Sequence, residues 1–209
     1  MAHVGVVICA HNEEKTLGSL LAAVSSCPHL GTINVVLDRC TDNSYQIARS
    51  FGVNIWNGST GGKGTSMSLG LNGVVEPTVL FLDSDTSGMT ATVLTELATY
   101  PINGQVLGIR HDAWALEKIG AFPSITGDRR VPTWLARQVP LEGSGWKAET
   151  LINMAVQKAG LPTAYVVMKS VYNPSRFLAT PIRWIGKNIL VGGFMLRHIG
   201  DIWPMRKAN

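Results

Sequence analysis

The sequence predicts an α/β fold with a mostly parallel, twisted sheet flanked by helices. Short apolar, β-branched runs alternate with stretches of helical periodicity, which is typical of βαβ units. The first run, residues 4–9, is continuously apolar, as expected for a strand that is covered on both faces. Polar clusters follow the runs one after another, as loops do at the carboxyl edge of a parallel sheet.

The first half contains five expected strands with helices between them. The acids of Asn12-Glu13-Glu14 favour a helix start because they lie beside the positive end of its dipole. Thr41 and Asp42 are good N-caps for the next helix, and Gly52 is a good stop. The expected strands are residues 4–9, 33–37, 53–56, 79–82 and 105–109, and the expected helices are residues 12–26, 41–50, 65–72 and 90–99.

The second half has a less regular pattern. Proline and glycine interrupt residues 110–145, so we expect irregular structure there. A helix is predicted near residues 146–159, a strand at residues 163–168, and a basic helical segment at the C-terminus. A chain of 209 residues suits one compact domain. We divide it near residue 110 into two closely packed halves, residues 1–110 and 111–209.

Composition limits the class of protein. With 45% hydrophobic and 15% charged residues, the chain can form a core. Three cysteines without CxxC spacing predict reduced thiols. No apolar run approaches the roughly 20 residues that span a bilayer. The apolar run at the N-terminus is too short, and is followed too soon by polar residues, for a signal peptide, so we expect it to be the first strand, which predicts a cytoplasmic protein.

The positive charge is concentrated near the C-terminus. The formal net charge is +4, and from residue 176 onward six Lys or Arg face a single acid, Asp201. Residues 181–207 mix these bases with Trp, Ile, Leu and Phe. Three interpretations stay open: a final helix packed on the sheet, an interfacial helix on anionic lipid, or a surface that contacts nucleic-acid phosphates. An interfacial helix would place the protein peripherally at a membrane surface.

Four polar clusters define the candidate site. They are residues 10–13, 38–42, 61–64 and 83–85, and each follows a predicted strand, so they should meet at one edge of the sheet. Asp83 and Asp85 suit a hard divalent cation, Mg²⁺ or Mn²⁺. Lys63, between glycines, suits a phosphate. Neither a Walker loop nor a GxGxxG motif follows the first strand, which disfavours a dinucleotide fold.

These segments resemble a known family. The stretches VVICAHNEEKTL, VVLDRCTDNS, GGKGTSMSLGL and VLFLDSDT resemble, in order and spacing, the nucleotide-binding half of family 2 glycosyltransferases of the GT-A fold. The resemblance implies that Ala10, Asn12 and Glu13 line the nucleotide site and that Asp38 contacts the base or ribose. It further implies that Lys63 lies near the nucleotide and that Asp83-Ser84-Asp85 is the DxD metal motif, with Asp85 as the direct ligand and Asp83 nearer the sugar or ribose.

The second half resembles the acceptor side of that family. ITGDRRVP (125–132) is similar to the loop ahead of the acceptor site, and residues 143–160 are similar to a segment of the form G-(aromatic)-x-x-E-x-x-L. The acidic pair Glu-Asp of many relatives is absent, so Asp128 and Glu149 are both candidates for the catalytic base. Arg129 and Arg130 are candidates to hold a phosphate, or else they form a solvated turn. Trp134 and Trp146 are candidates to stack on a sugar or base, or else they pack in the core.

The expected function is transfer of a sugar from a UDP- or GDP-sugar to an acceptor hydroxyl or phosphate, with a divalent metal. The acceptor is open between a polyprenyl phosphate or other lipid, a small molecule, and modified bases of DNA. Alternatives from other classes are a nucleotidyltransferase and a non-catalytic nucleotide-sugar-binding module. A homodimer is compatible with each of these.

Overall fold

The computed structural model describes residues 3–58, 62–110 and 126–174, which form one seven-stranded mixed sheet with helices on both faces. The strands are β1 (Val4–Ala10), β2 (Leu30–Asp38), β3 (Asn54–Gly58), β4 (Thr78–Asp83), β5 (Gln105–Arg110), β6 (Arg129–Pro132) and β7 (Thr163–Met168). The α-helices are α1 (Leu17–Ser25), α2 (Ser44–Ser50), α3 (Lys63–Leu71), α4 (Ala91–Thr99), α5 (Thr133–Gln138) and α6 (Ala148–Lys158), and a 3-10 turn, Gly145–Lys147, precedes α6.

The order of the strands places the predicted clusters on one edge. The sheet reads β3-β2-β1-β4-β6-β5-β7. The four strands from β3 to β4 are parallel, with Cys9 opposite Asp83 and Ala10 opposite Leu37. Strand β6 is antiparallel to both β4 and β5, so β5 runs in the same direction as β4. The carboxyl ends of β1, β2, β3, β4 and β5 therefore lie on the same edge.

Two apolar layers cover the sheet. Helices α1, α2 and α4 pack on one face, where Ile8 and Leu37 are buried. Helix α3 with α5 and α6 covers the other face, where Val7 and Phe81 are buried. Because neighbouring residues of β1 point into different layers, the strand is apolar throughout, as the sequence predicts.

The α/β class with a mostly parallel sheet is confirmed. The main differences are helix starts, since α1 begins at Leu17 and α2 at Ser44. In both cases, side-chain hydrogen bonds of the preceding loop take the place of the expected first turn. The three cysteines are free, as expected.

The expectation of irregular structure across 110–145 is wrong for residues 129–138, which form β6 and α5. Strand β6 has the sequence RRVP, which lacks an apolar run because two of its four residues are arginines. Both arginines are nonetheless buried and bonded within the protein.

The division near residue 110 stays a prediction. One sheet spans both sides of it, because β6 of the second half pairs with β4 and β5 of the first. The predicted C-terminal helical segment lies outside the described residues. Within the described residues, none of the helices combines the length and the apolar character that crossing a membrane requires.

Candidate active site

A buried lysine joins two acids at the carboxyl edge of the sheet. Lys63 Nζ lies 2.5 Å from Asp83 Oδ1 and 2.6 Å from Glu149 Oε1. Lys63 is the first residue of α3, Asp83 the last of β4, and Glu149 lies in the first turn of α6. The structure thus brings together three of the predicted site residues from three separate elements.

Glycine at position 64 permits this approach. A Cβ there would collide with Ser144 and with the carbonyl oxygen of Leu141, so only glycine lets α3 pack against the loop before α6. That loop places Trp146 with its ring centroid 5.9 Å from Lys63 Nζ, within reach of a cation–π interaction. Trp146 is 52% exposed, so its ring is accessible at the rim of the site.

Two acidic partners stabilise the charged form of Lys63. Burial alone would lower its pKa, but the charges of Asp83 and Glu149 outweigh burial and raise the pKa above its usual value. Lys63 is therefore a permanent cation at the edge of the sheet.

Asp128 lies behind Asp83. Its Oδ1 accepts a hydrogen bond of 3.0 Å from the backbone N–H of Asp83, and Asp128 is fully buried. Burial, and then the charge of Asp83, raise the pKa of Asp128 to about 7. Gly127 packs directly on the Asp83 carboxylate, where a Cβ would collide. The loop therefore places a carboxyl group that titrates near neutral pH beside the predicted metal motif.

Asp85, the second aspartate of the motif, has one side-chain oxygen that accepts a hydrogen bond and one that accepts none from the described residues. Asp85 Oδ2 accepts a hydrogen bond of 2.6 Å from Asn173 Nδ2, whereas Oδ1 is buried with no hydrogen-bond partner in the described part of the chain. Burial, and then the charge of Asp83, raise the pKa of Asp85. A buried carboxylate oxygen that accepts no hydrogen bond is suited to bind a cation.

Asp38 lies at the end of β2, two strands away from β4 in the sheet. Its Oδ2 accepts a hydrogen bond of 3.0 Å from the N–H of Gly62, and Oδ1 lies 3.4 Å from Arg39 Nε without hydrogen-bond geometry. A cavity of about 330 Å³ lies beside it and is lined by Leu37, Arg39, Cys40, Tyr45, Asn57 and Gly58. The chain neighbours of Asp38, Leu37 and Arg39, thus line this space, whereas Asp38 itself is buried, and its contact with a base or ribose stays a prediction.

The loops after β1 and β2 are tied together by side chains. Asn12, whose φ is 57°, accepts a hydrogen bond of 2.7 Å from the N–H of Thr41, and His11 Nδ1 donates to the carbonyl of Asp38 at 2.6 Å. Glu14 accepts from the N–H of Asn43 at 3.1 Å. The side-chain oxygen of Asn12 thus holds the second loop, and its role in lining the nucleotide site stays a prediction.

Ala10, Glu13 and Ser84 lie at the same edge. Ser84 Oγ donates to the carbonyl of Cys9 at 2.6 Å, so that this hydroxyl fixes the strand ends to each other. Thr16 Oγ1 lies 3.2 Å from Glu13 Oε2. Burial, and then the charge of Asp85, raise the pKa of Glu13 to about 7. Ala10 is buried at the end of β1.

Arg129 and Arg130 do not match either of the predicted roles, a phosphate contact or a solvated turn. Arg129 is fully buried, and its Nη1 donates to the carbonyl of Glu149 at 2.8 Å and to Asn153 Oδ1 at 2.9 Å. Arg130 donates to the carbonyls of Ala98, Tyr100 and Ile102 and so satisfies the C-terminal end of α4. Both are exposed too little to hold a ligand in this arrangement.

Trp134 lies at the opposite edge of the sheet. It is in the first turn of α5, next to Thr133, whose N–H bonds to the carbonyl of Pro77 just before β4. Of the two tryptophans considered, the structure therefore brings only Trp146 to the site.

Two functional candidates were missed from the sequence. Arg110 Nη1 lies 3.8 Å from Asp83 Oδ2. The strand pattern could have identified Arg110, because it is the last residue of β5 and therefore lies at the same edge of the sheet. Asn173, which contacts Asp85, lies in a segment after β7 with no recognisable pattern, so no local signal could have found it.

Known proteins share this architecture. Residues 5–100 match the model of glycosyl transferase family 2. Similar solved structures include glucosyl-3-phosphoglycerate synthase from Mycobacterium tuberculosis with Mn²⁺, UDP-glucose and phosphoglyceric acid (TM-score 0.78, 19% identity, covering 95% of this chain and 80% of that chain). The same enzyme with Mg²⁺ and UDP has a TM-score of 0.79 at 18% identity, with the same coverage. No curated protein matches the sequence significantly.

The architecture is that of the GT-A glycosyltransferases to which these solved structures belong. The match of residues 5–100 to glycosyl transferase family 2 confirms the resemblance that the motifs indicate.

Proposed function

We propose that the chain transfers a sugar from a nucleoside-diphosphate sugar, held with Mg²⁺ or Mn²⁺ along the carboxyl edge of the sheet, to a small acceptor that carries a phosphate. The observation that carries this proposal is the convergence of Lys63, Asp83 and Glu149 from three elements at the edge where Asp85 follows β4. Within the described residues, one buried oxygen of Asp85 has no hydrogen-bond donor.

The residues present fit a divalent cation. The described residues contain no group of three His, Cys, Asp or Glu side chains arranged to hold a metal, so a cation here would take part of its coordination from elsewhere. Mg²⁺ commonly binds in this way, through one or two carboxylates, waters and substrate phosphates. Asp85 would be the protein ligand, with Asp83 beside it. The bound cation would stabilise the negative charge that develops on the departing diphosphate.

Lys63 supplies the positive charge of the protein itself. Two acids hold its ammonium group rigidly at the strand-end edge, where it can attract a diphosphate as it enters. The rigid placement matters, because a charge already in position needs no reorganisation as the leaving group departs. Glu149 and Asp83, both hydrogen-bonding acids beside Lys63, are suited to bind the hydroxyls of the sugar.

Asp128 is the better candidate for the catalytic base. Its pKa of about 7 is close to the pH at which a base is both deprotonated and able to accept a proton. Its Oδ2 is buried without a hydrogen-bond partner in the described part of the chain. Glu149, in contrast, already has one of its two oxygens engaged in an ion pair with Lys63.

The proposed acceptor is a phosphate-bearing small molecule. The similar solved structures contain bound phosphoglyceric acid and glycerol 3-phosphate. This chain is basic overall, with six Lys or Arg against one acid from residue 176 onward. An anionic acceptor suits that charge. Acceptors on a lipid or on DNA are also anionic, so they serve as the competing arms of the test.

The test measures nucleoside diphosphate release and sugar transfer with Mn²⁺ present. UDP- and GDP-sugars are combined in turn with phosphoglycerate, glycerol 3-phosphate, polyprenyl phosphate in vesicles, and duplex DNA with hydroxymethylated bases. We expect transfer to a soluble phosphate. Transfer only to the vesicle or DNA arm would refute the proposed acceptor. Pyrophosphate release would indicate a nucleotidyltransferase, and tight nucleotide-sugar binding without turnover would indicate a binding module.

Asp85→Ala tests the cation assignment. We expect transfer to fall by about 100-fold or more, because an oxyanion-stabilising group is typically worth at least that much. Glu96→Ala, an exposed acid in α4, is the matched control and should keep wild-type activity. Unchanged Mn²⁺ dependence in Asp85→Ala would contradict the assignment.

A further inference from the structure

A buried carboxamide contacts the second aspartate of the metal motif. Asn173 is 5% exposed, and its Nδ2 lies 2.6 Å from Asp85 Oδ2. The two residues are 88 positions apart. A polar side chain this well buried needs a definite partner, and here it lies against a residue that the proposed function uses to hold a cation.

The backbone determines the position of Asn173. Its neighbour Tyr172 forms an isolated antiparallel bridge with Ser87, with hydrogen bonds of 2.9 and 3.0 Å. Gly88 lies so close to the carbonyl of Ser170 that a Cβ would collide. The segment after β7 is therefore anchored directly to the loop that follows the motif, and Asn173 is held against Asp85 by main-chain contacts.

Asp83 is less available as a ligand than Asp85. One of its oxygens forms the short ion pair with Lys63, and the other lies 3.8 Å from Arg110. Asp85 has no ion pair of this kind among the described residues. A second protein oxygen near Asp85 would strengthen the binding of a cation at this edge, and the nearby carboxamide can supply one.

An asparagine is chemically suited to that role. Its carbonyl oxygen is a hard, neutral ligand of the kind that Mg²⁺, Mn²⁺ and Ca²⁺ accept. The amide oxygen and nitrogen exchange places by a half-turn of the terminal group, which keeps the shape of the side chain. Without a cation, the N–H group favours the carboxylate, as observed. With a cation, the oxygen would be favoured in the same place.

We propose that Asn173 is a direct ligand of the divalent cation, which it binds together with Asp85 through its side-chain oxygen. This inference rests on the proposed cation-dependent function. A neutral ligand has an advantage here, because Asp83, Asp85 and Asp128 already crowd negative charge at this edge, and a further carboxylate would increase their repulsion in the metal-free protein.

The experiment measures Mn²⁺ binding directly, by the electron paramagnetic resonance signal of free Mn²⁺ in the presence of UDP, so that no turnover is needed. Asn173→Ala and the isosteric Asn173→Leu both remove the oxygen. Partners outside the coordination sphere already contribute about 10- to 100-fold to metal affinity, so we expect a loss of at least about 10-fold. Asn173→Asp keeps an oxygen at the same place and should bind Mn²⁺ at least as tightly as the wild type.

Tyr172→Ala is the matched control. Its side chain is 46% exposed, whereas its backbone carries the bridge to Ser87, so Mn²⁺ affinity should not change. Wild-type affinity in Asn173→Leu would overturn the inference. It would also be overturned if Asn173→Asp bound as weakly as Asn173→Ala, since only the N–H donor would then matter. Asp85→Ala separates the two proposals: full Mn²⁺ binding by that variant would refute the cation site itself.

Discussion

Lys63→Met should destabilise the protein severely in the absence of a cation and a donor. The substitution keeps the length of the side chain and removes the charge that Asp83 and Glu149 share, at 2.5 and 2.6 Å. The Glu149 side chain is only 4% exposed, so water cannot compensate for the loss. Removing one partner of a buried ion pair typically costs about 3–5 kcal/mol, because the other charge stays buried.

The corresponding change in melting temperature is large enough to measure easily. For a chain of this size, each 1 kcal/mol lowers Tm by about 2–4 °C, so we expect a decrease of roughly 6–20 °C. Urea unfolding at pH 7.5 in EDTA gives the free energy of unfolding directly.

A double-mutant cycle identifies the cause. Glu149→Gln in the Lys63→Met background removes one of the unpaired charges, so it should restore much of the lost stability. It should not restore affinity for the nucleotide sugar, because the charge that attracts the diphosphate is still missing. Lys158→Met, at an exposed position near the end of α6, is the matched control and should unfold like the wild type.

The ion-pair explanation would be refuted by either of two results. A Lys63→Met protein that unfolds at the wild-type urea concentration would mean that the lysine contributes nothing to stability. A double variant as unstable as Lys63→Met alone would mean that the cost arises from packing around position 63.

Two further predictions concern the loop behind Asp83. Asp128→Asn should flatten the pH dependence of stability in EDTA. The pKa of Asp128 is raised from 3.8 to about 7, so its stabilising contribution is fully present below pH 4 and is lost as the pH rises through 7. The loss is at most about 4 kcal/mol. Thermal melts from pH 4 to 8 measure this, and an equal slope in both proteins would contradict it. Gly127→Ala should reduce transfer and Mn²⁺ affinity together, because its Cβ would displace the Asp83 carboxylate. Gly18→Ala in α1, where the added Cβ meets Ile47 only at an ordinary 3.7 Å, should leave both unchanged and serves as the control.

The sequence alone was sufficient for the first half of the site. The polar residues that end parallel strands meet at one edge whatever the details of packing, so Asp38 and Asp83 could be placed together from the strand pattern. Lys63 followed from its position between glycines at a helix start. The order of these motifs also indicated the glycosyltransferase family, which the match over residues 5–100 confirms.

Only the tertiary structure decided which partners these residues have. Arg129 and Arg130 look like surface charges in the sequence, but the carbonyls at the end of α4 and at Glu149 make burial favourable for them. The contact of Asn173 with Asp85 joins residues 88 positions apart and has no local signal. Strand periodicity and capping are local properties that a sequence displays directly. Ion pairs and buried hydrogen bonds depend on which distant atoms the packed elements bring within about 3 Å of each other.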